Sequence, residues 1–139
     1  MKNESIKSRV VLQEIVSRIL VSCVPSASRK NSFIINDVPS DMQVTTDEHM
    51  VATVFGTLLN AVITHTENTC IRISAKFYGR VVVLHLKETH KLNSSSFATT
   101  LRQIQQLAEK IGGTVSISNN EGEATTIVFS FLNNLTAAA

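Results

Sequence analysis

Five residues between positions 53 and 64 have the types and spacing to line a site: Thr53, Gly56, Thr57, Asn60 and Thr64. Their steps of 3, 1, 3 and 4 place them on one face of a helix, and none is charged. A helix face turned to water normally carries Lys and Glu, so a small, weakly polar face points to close approach by a ligand or by another part of the protein. The Asn60 amide and the threonine hydroxyls offer neutral oxygens. A divalent cation such as Mg2+ normally asks for carboxylates or phosphates as well.

The other reactive side chains form no constellation. His49 and His65 flank that helix, and His85 sits in an alternating stretch beside Lys87. No Ser–His–Asp or Cys–His arrangement follows from their spacing. Cys23 and Cys70 lie in apolar surroundings without further metal ligands nearby, the pattern of buried free thiols rather than of a zinc site.

These residues need elements to position them. Apolar positions from Ile6 to Cys23 recur at helical spacing through Val11, Leu12, Ile15, Val16, Ile19, Leu20 and Cys23, and Val24-Pro25-Ser26 is expected to end that helix. Ser32–Asn36 reads as a short strand. Thr45-x-x-Glu48 has capping-box spacing, so a second helix is expected from about Thr46, with Val51, Val54, Phe55, Leu58, Leu59 and Val62 as its core stripe.

From Cys70, Ile71, Ile73, Ala75 and Phe77 alternate inward, Tyr78-Gly79 turns, and Val81–Lys87 returns. Phe97, Leu101, Ile104, Ala108 and Ile111 mark a third helix closed by Gly112-Gly113. A last hairpin turns at Asn119–Glu123 and carries Ile127, Phe129 and Phe131 on its inner face, while Asn133 to Ala139 reads as frayed. The order predicts an α+β two-layer sandwich, a mixed and mostly antiparallel sheet with about three helices on one face.

At 139 residues, 43% apolar and 17% charged, residues 1–139 are expected to form one globular domain. A net charge of +2 without a sizeable basic cluster gives no case for nucleic acid. No stretch approaches the ~18–20 apolar residues of a membrane span, and MKNESIKSR has no signal-peptide core, so a cytoplasmic chain without membrane contact is expected.

Two passages carry a family resemblance. GTLLNAVITHT resembles the N-box of sensor histidine kinases (N-L-L-x-N-A-x-K-[FY]-[ST]), and KIGGTVSISNNEGEATTIVFSFL resembles that family's closing H-G-G…G-x-G-T-x-F passage. VVLQEIVSRIL…NSFIINDVPSDMQV is similar to its leading helix and first strand, which extends the likeness over nearly the whole chain and leaves residues 1–9 as the tail of a preceding helix. The resemblance implies the histidine-kinase-like ATPase, or GHKL (Bergerat), fold.

It also implies roles. Asn60 would be the Mg2+-coordinating asparagine, with Thr57 and Thr64 beside it, and Glu88 would stand where the family has the Asp that accepts from adenine. These four make a vestigial nucleotide site, because much else departs from the pattern. Gly56 replaces a polar residue, Ile63 a phosphate-facing Lys or Arg, His90 and Leu92 the glycines of D-x-G-x-G, and Ala124 a glycine near Thr125.

The lid is reduced to Asn93–Ser95, and the glycines that would cradle phosphate at the next helix are gone. That short Glu88–Ser96 connection is expected to cover the former pocket. The resulting expectation is a degenerate, non-catalytic domain without a cofactor. It would bind protein partners in two-component signalling, such as a kinase dimerisation domain or a response regulator, with Val10, Val21 and Val24 of the first helix contributing. The alternatives are a kinase domain that binds ATP and Mg2+ through atypical loops, and an anti-sigma-factor-like partner-switching regulator.

Overall fold

The computed structural model describes residues 7–89, 95–120 and 124–133. Seven strands and three helices follow one another: β1 (Lys7–Val11), α1 (Leu12–Arg29), β2 (Phe33–Asn36), β3 (Gln43–Asp47), α2 (Glu48–Thr64), β4 (Cys70–Tyr78), β5 (Val81–Glu88), α3 (Ser95–Glu109), β6 (Thr114–Asn120) and β7 (Ala124–Leu132). The main sheet runs β2-β4-β5-β7-β6, with β2 parallel to β4 and every other pair antiparallel. The three helices share one core with its inner face. This is the expected α+β sandwich.

Period-two alternation builds that face. Ile73 and Ala75 meet Leu86 and Leu84 across the β4–β5 register beside Ile71, and Ile127, Phe129 and Phe131 continue the face on β7, all buried. Phe77 lies in the same row yet is 46% exposed, while its cross-strand neighbours Val82 and Phe131 are buried. The α2 stripe from Val51 to Val62 is buried as its helical spacing requires.

Three element boundaries differ from expectation. Lys7–Val11 is a strand, not helix, because β1 pairs antiparallel with β3 in a second, two-stranded sheet. Thr45 and Thr46 belong to that sheet as well, so no capping box forms. Asp47 caps α2 instead, its side chain accepting from the Met50 N–H at 3.2 Å. Helix α1 runs through Pro25 to Arg29. The carbonyl deprived of a partner by Pro25 is that of exposed Val21, within reach of water, and the last turn is anchored by buried Ala27.

Asn133 is no frayed end. Its side-chain oxygen accepts from the Thr45 N–H at 2.7 Å and its own N–H donates to the Arg80 carbonyl at 2.8 Å, which ties the small sheet to the large one. Residues 134–139 and 1–6 lie outside the described residues, as do 90–94 and 121–123. Two glycines close α3: Gly112 takes φ +69°, and a β-carbon on Gly113 would stand 2.5 Å from the Ser130 carbonyl oxygen. Among the described residues, no helix is long and apolar enough to cross a membrane.

Candidate functional site

Glu88 ends β5 on the inner face, in register with Ile71 of β4 and Thr125 of β7, and is only 1% exposed. The Thr69 hydroxyl donates to it at 2.8 Å. A hydroxyl has a single hydrogen, so the 2.8 Å contact between Thr69 and Thr89 must be a donation from Thr89. The Thr89 oxygen accepts in turn from the Cys70 N–H at 3.4 Å. Thr69 is itself held through its backbone N–H, which donates to the Ser32 hydroxyl at 3.2 Å. The carboxylate thus ends a directed chain of donors contributed by the domain's own loops.

The spacing of motifs did not reveal Thr69. Hairpin register did hold a signal: counting outward from the Tyr78↔Val81 pair puts Ile71 opposite Glu88, with Thr69 and Thr89 just beyond.

Asn60 lies in a different environment. It is exposed on the outer face of α2 together with Thr53, Thr57 and Thr64, and its amide makes no hydrogen bond among the described residues. Each threonine there donates back to the carbonyl four residues earlier: Thr53 to His49 at 2.9 Å, Thr57 to Thr53 at 2.7 Å, and Thr64 to Asn60 at 2.8 Å. Such back-bonding satisfies the hydroxyls within the helix and leaves the face uncharged without any ligand.

Thr53, Thr57, Asn60 and Thr64 are exposed, and of the Glu88–Ser96 connection expected to cover them residues 90–94 lie outside the described residues. A groove of about 370 Å3 runs along Thr53, Gly56, Thr57 and Asn60, walled on the other side by Ile19, Ser22 and Cys23 of α1. It is flanked by a second groove of about 550 Å3 between Ile15, Arg18 and Ile19 of α1 and Glu48, His49 and Ala52 of α2. The approach of α1 does not require Gly56: a β-carbon there would meet Ile19 at an ordinary 3.9 Å. Arg18 and Glu48 form an ion pair across the groove.

The structure therefore brings Glu88 into the interior and leaves Asn60, Thr57 and Thr64 on the solvent side. Ile63 points into the core, where no phosphate reaches. His65 caps α2 and meets the Phe97 ring edge-on at 5.3 Å, which fixes the start of α3. His85 is half-buried on the opposite face of the sheet. Burial, then the positive charges of Lys76 and Lys87, hold its imidazole below the usual histidine range. Cys23 is buried and its thiol is pushed up by desolvation, the condition of an inert sulfur.

Comparison with known proteins separates sequence from fold. No family model and no curated protein matches the chain. Solved structures do. The histidine kinase AdeS of Acinetobacter baumannii superposes at a TM-score of 0.81 and 14% identity, over 95% of this chain and 70% of that one. The cytoplasmic segment of histidine kinase QseC gives 0.68 and 11%, over 94% and 81%.

Histidine kinase ThkA, in its complex with the response regulator TrrA, gives 0.66 and 15%, over 91% of this chain and 42% of that one. The element order, the sheet topology and these superpositions agree: the chain has the fold of a histidine-kinase-like ATPase domain.

Proposed function

We propose that this chain is a degenerate histidine-kinase-like ATPase domain that transfers no phosphate and acts by binding other proteins in two-component or phosphorelay signalling. One observation carries the reading. Glu88, at the position where the resemblance puts the adenine acceptor, is sealed at 1% exposure and already accepts from Thr69. At that exposure neither carboxylate oxygen is presented to an incoming base. The apolar Ile63, in the place of a phosphate-facing cation, is buried, and Asn60 stands among threonines rather than carboxylates. These residues do not fit ATP–Mg2+.

What remains is surface. The two grooves between α1 and α2, one crossed by the Arg18–Glu48 ion pair, and the exposed Val21 (78%) and Val24 (44%) elsewhere on α1 are surfaces suited to another protein. ThkA, which shares the fold, is seen with a response regulator, and the QseC fragment is a cytoplasmic segment. A protein partner and a cytoplasmic setting belong to the same proposal, as does the treatment of residues 1–139 as one domain. The retained Asn60 amide favours the second reading, an ATP-binding domain with atypical loops.

Mixing the chain with a purified histidine-containing dimerisation domain, a response regulator and radiolabelled ATP–Mg2+ tests both halves. The expected result is complex formation with one of the two proteins and no labelled histidine. Acid-labile label transferred by the chain overturns the non-catalytic half, and absence of any complex overturns the other.

A further inference from the structure

The sheet carries helices on one face only, and its other face is chemically one-sided. Arg72 and Lys76 of β4 and Lys87 of β5 project there, among Ser74, Thr126, Ser116 and Ser118. Among the described residues, no carboxylate shares these strand positions. Asp37, beyond β2, pairs with Arg72, but among the described residues no carboxylate pairs with Lys76 or Lys87.

The register sharpens the imbalance. Arg72 sits directly opposite Lys87, and like charges facing each other across strands destabilise a sheet. A solvated sheet face that served only stability would interleave both signs. His85 reports the same field. Lys76 on β4 and Lys87 on its own strand both oppose its protonation, while β7 presents uncharged Val128 opposite it.

We propose that this open face docks an extended acidic segment of a partner protein, whose carboxylates meet Lys76 and Lys87 on either side of His85. The geometry sets the spacing. Lys76 and Lys87 lie four positions apart along the strand direction and one strand apart across it, about 14 Å between backbones. In an extended peptide, side chains four residues apart share a face at about that separation. Ser74 and His85 lie between the two lysines, with buried Val83 opposite Lys76 and half-buried Val128 beside His85 as apolar neighbours. The inference is independent of whether the domain binds nucleotide.

The test is an NMR titration of the full chain with a short peptide carrying two glutamates four residues apart, and with its glutamine counterpart. The glutamate peptide should shift the amides of Ser74, Lys76, His85, Lys87 and Val128. Saturation should raise the His85 pKa, since a nearby anion favours the imidazolium. The double variant K76Q/K87Q, whose exposed positions leave the fold in place, should weaken binding roughly tenfold.

Equal binding of the glutamine peptide, or shifts confined to the helical face, would overturn the proposal. So would an oligodeoxythymidine or phosphatidylserine vesicles binding more tightly than the peptide. Melting of K76Q/K87Q at or above the parent temperature confirms that lost binding is not lost folding.

Discussion

Replacing Thr69 with Val tests how firmly Glu88 is committed to the interior. The substitution keeps shape and removes one hydroxyl, which donates to a carboxylate that is 1% exposed. A hydrogen bond to a charged group contributes about 1.5–3 kcal/mol, and at 1% exposure no water replaces the lost donor. Thr89, the donor behind Thr69, is exposed, so water can take its hydrogen and no second penalty follows.

A loss of about 2 kcal/mol is therefore expected. For 139 residues the unfolding entropy is about 0.3 kcal/mol/K, so Tm should fall by about 7 °C. Glu88→Gln supplies the control, because a neutral acceptor makes a bond about half as strong. In that background Thr69→Val should cost only about 1 kcal/mol, leaving a coupling of about 1 kcal/mol in the double-mutant cycle. Denaturant or thermal melts of the four proteins measure it. A Thr69→Val Tm within about 1 °C of the parent, or strictly additive effects, would show that Glu88 is not held as described.

Gly113→Ala should destabilise by about 1–3 kcal/mol in chemical denaturation, because the new β-carbon would meet the backbone carbonyl of Ser130 at 2.5 Å and a paired strand cannot step aside. Val21→Asp should leave stability within about 0.5 kcal/mol, whereas Val10→Asp, on a strand packed against the core, should lose about 1–3 kcal/mol; circular-dichroism melts separate the two. His85 should make the domain less stable in mild acid. Its folded pKa lies below the unfolded value of about 6.5, so the unfolded chain binds the proton first, and the contribution present above that pH is lost as pH falls through the folded pKa. The drop should shrink in His85→Gln, as read by melts at pH 7.5 and 5.

Sequence periodicity carried most of the fold. The stripes of α2 and α3 and the alternation of β4, β5 and β7 were readable because each element buries a single face. It failed where two signals competed. Val10-Val11 suits helical spacing and a β-strand equally, and only pairing with Val44 and Gln43 decides for the strand. Thr45-x-x-Glu48 is a valid capping pattern defeated by that same small sheet, since Thr45 gives its N–H to Asn133, 88 residues away.

The candidate site was legible by position and not by state. Glu88 was placed from a motif, but its burial depends on Thr69 across a hairpin. The outer face of α2 was identified from spacing, while the spacing did not show that its hydroxyls bond backward into their own helix.

The central claim is that the nucleotide site is closed to ATP–Mg2+, and a thermal melt of the full chain with and without millimolar ATP–Mg2+ addresses it directly. Ligand at ~100 times Kd would add about 2.7 kcal/mol, which at about 0.3 kcal/mol/K raises Tm by about 9 °C. Even a Kd equal to the ligand concentration would add about 0.4 kcal/mol, a shift of a little over ~1 °C. Curves that coincide within ~1 °C are predicted. A rise of several degrees that requires Mg2+ and disappears in Asn60→Ala would contradict the account.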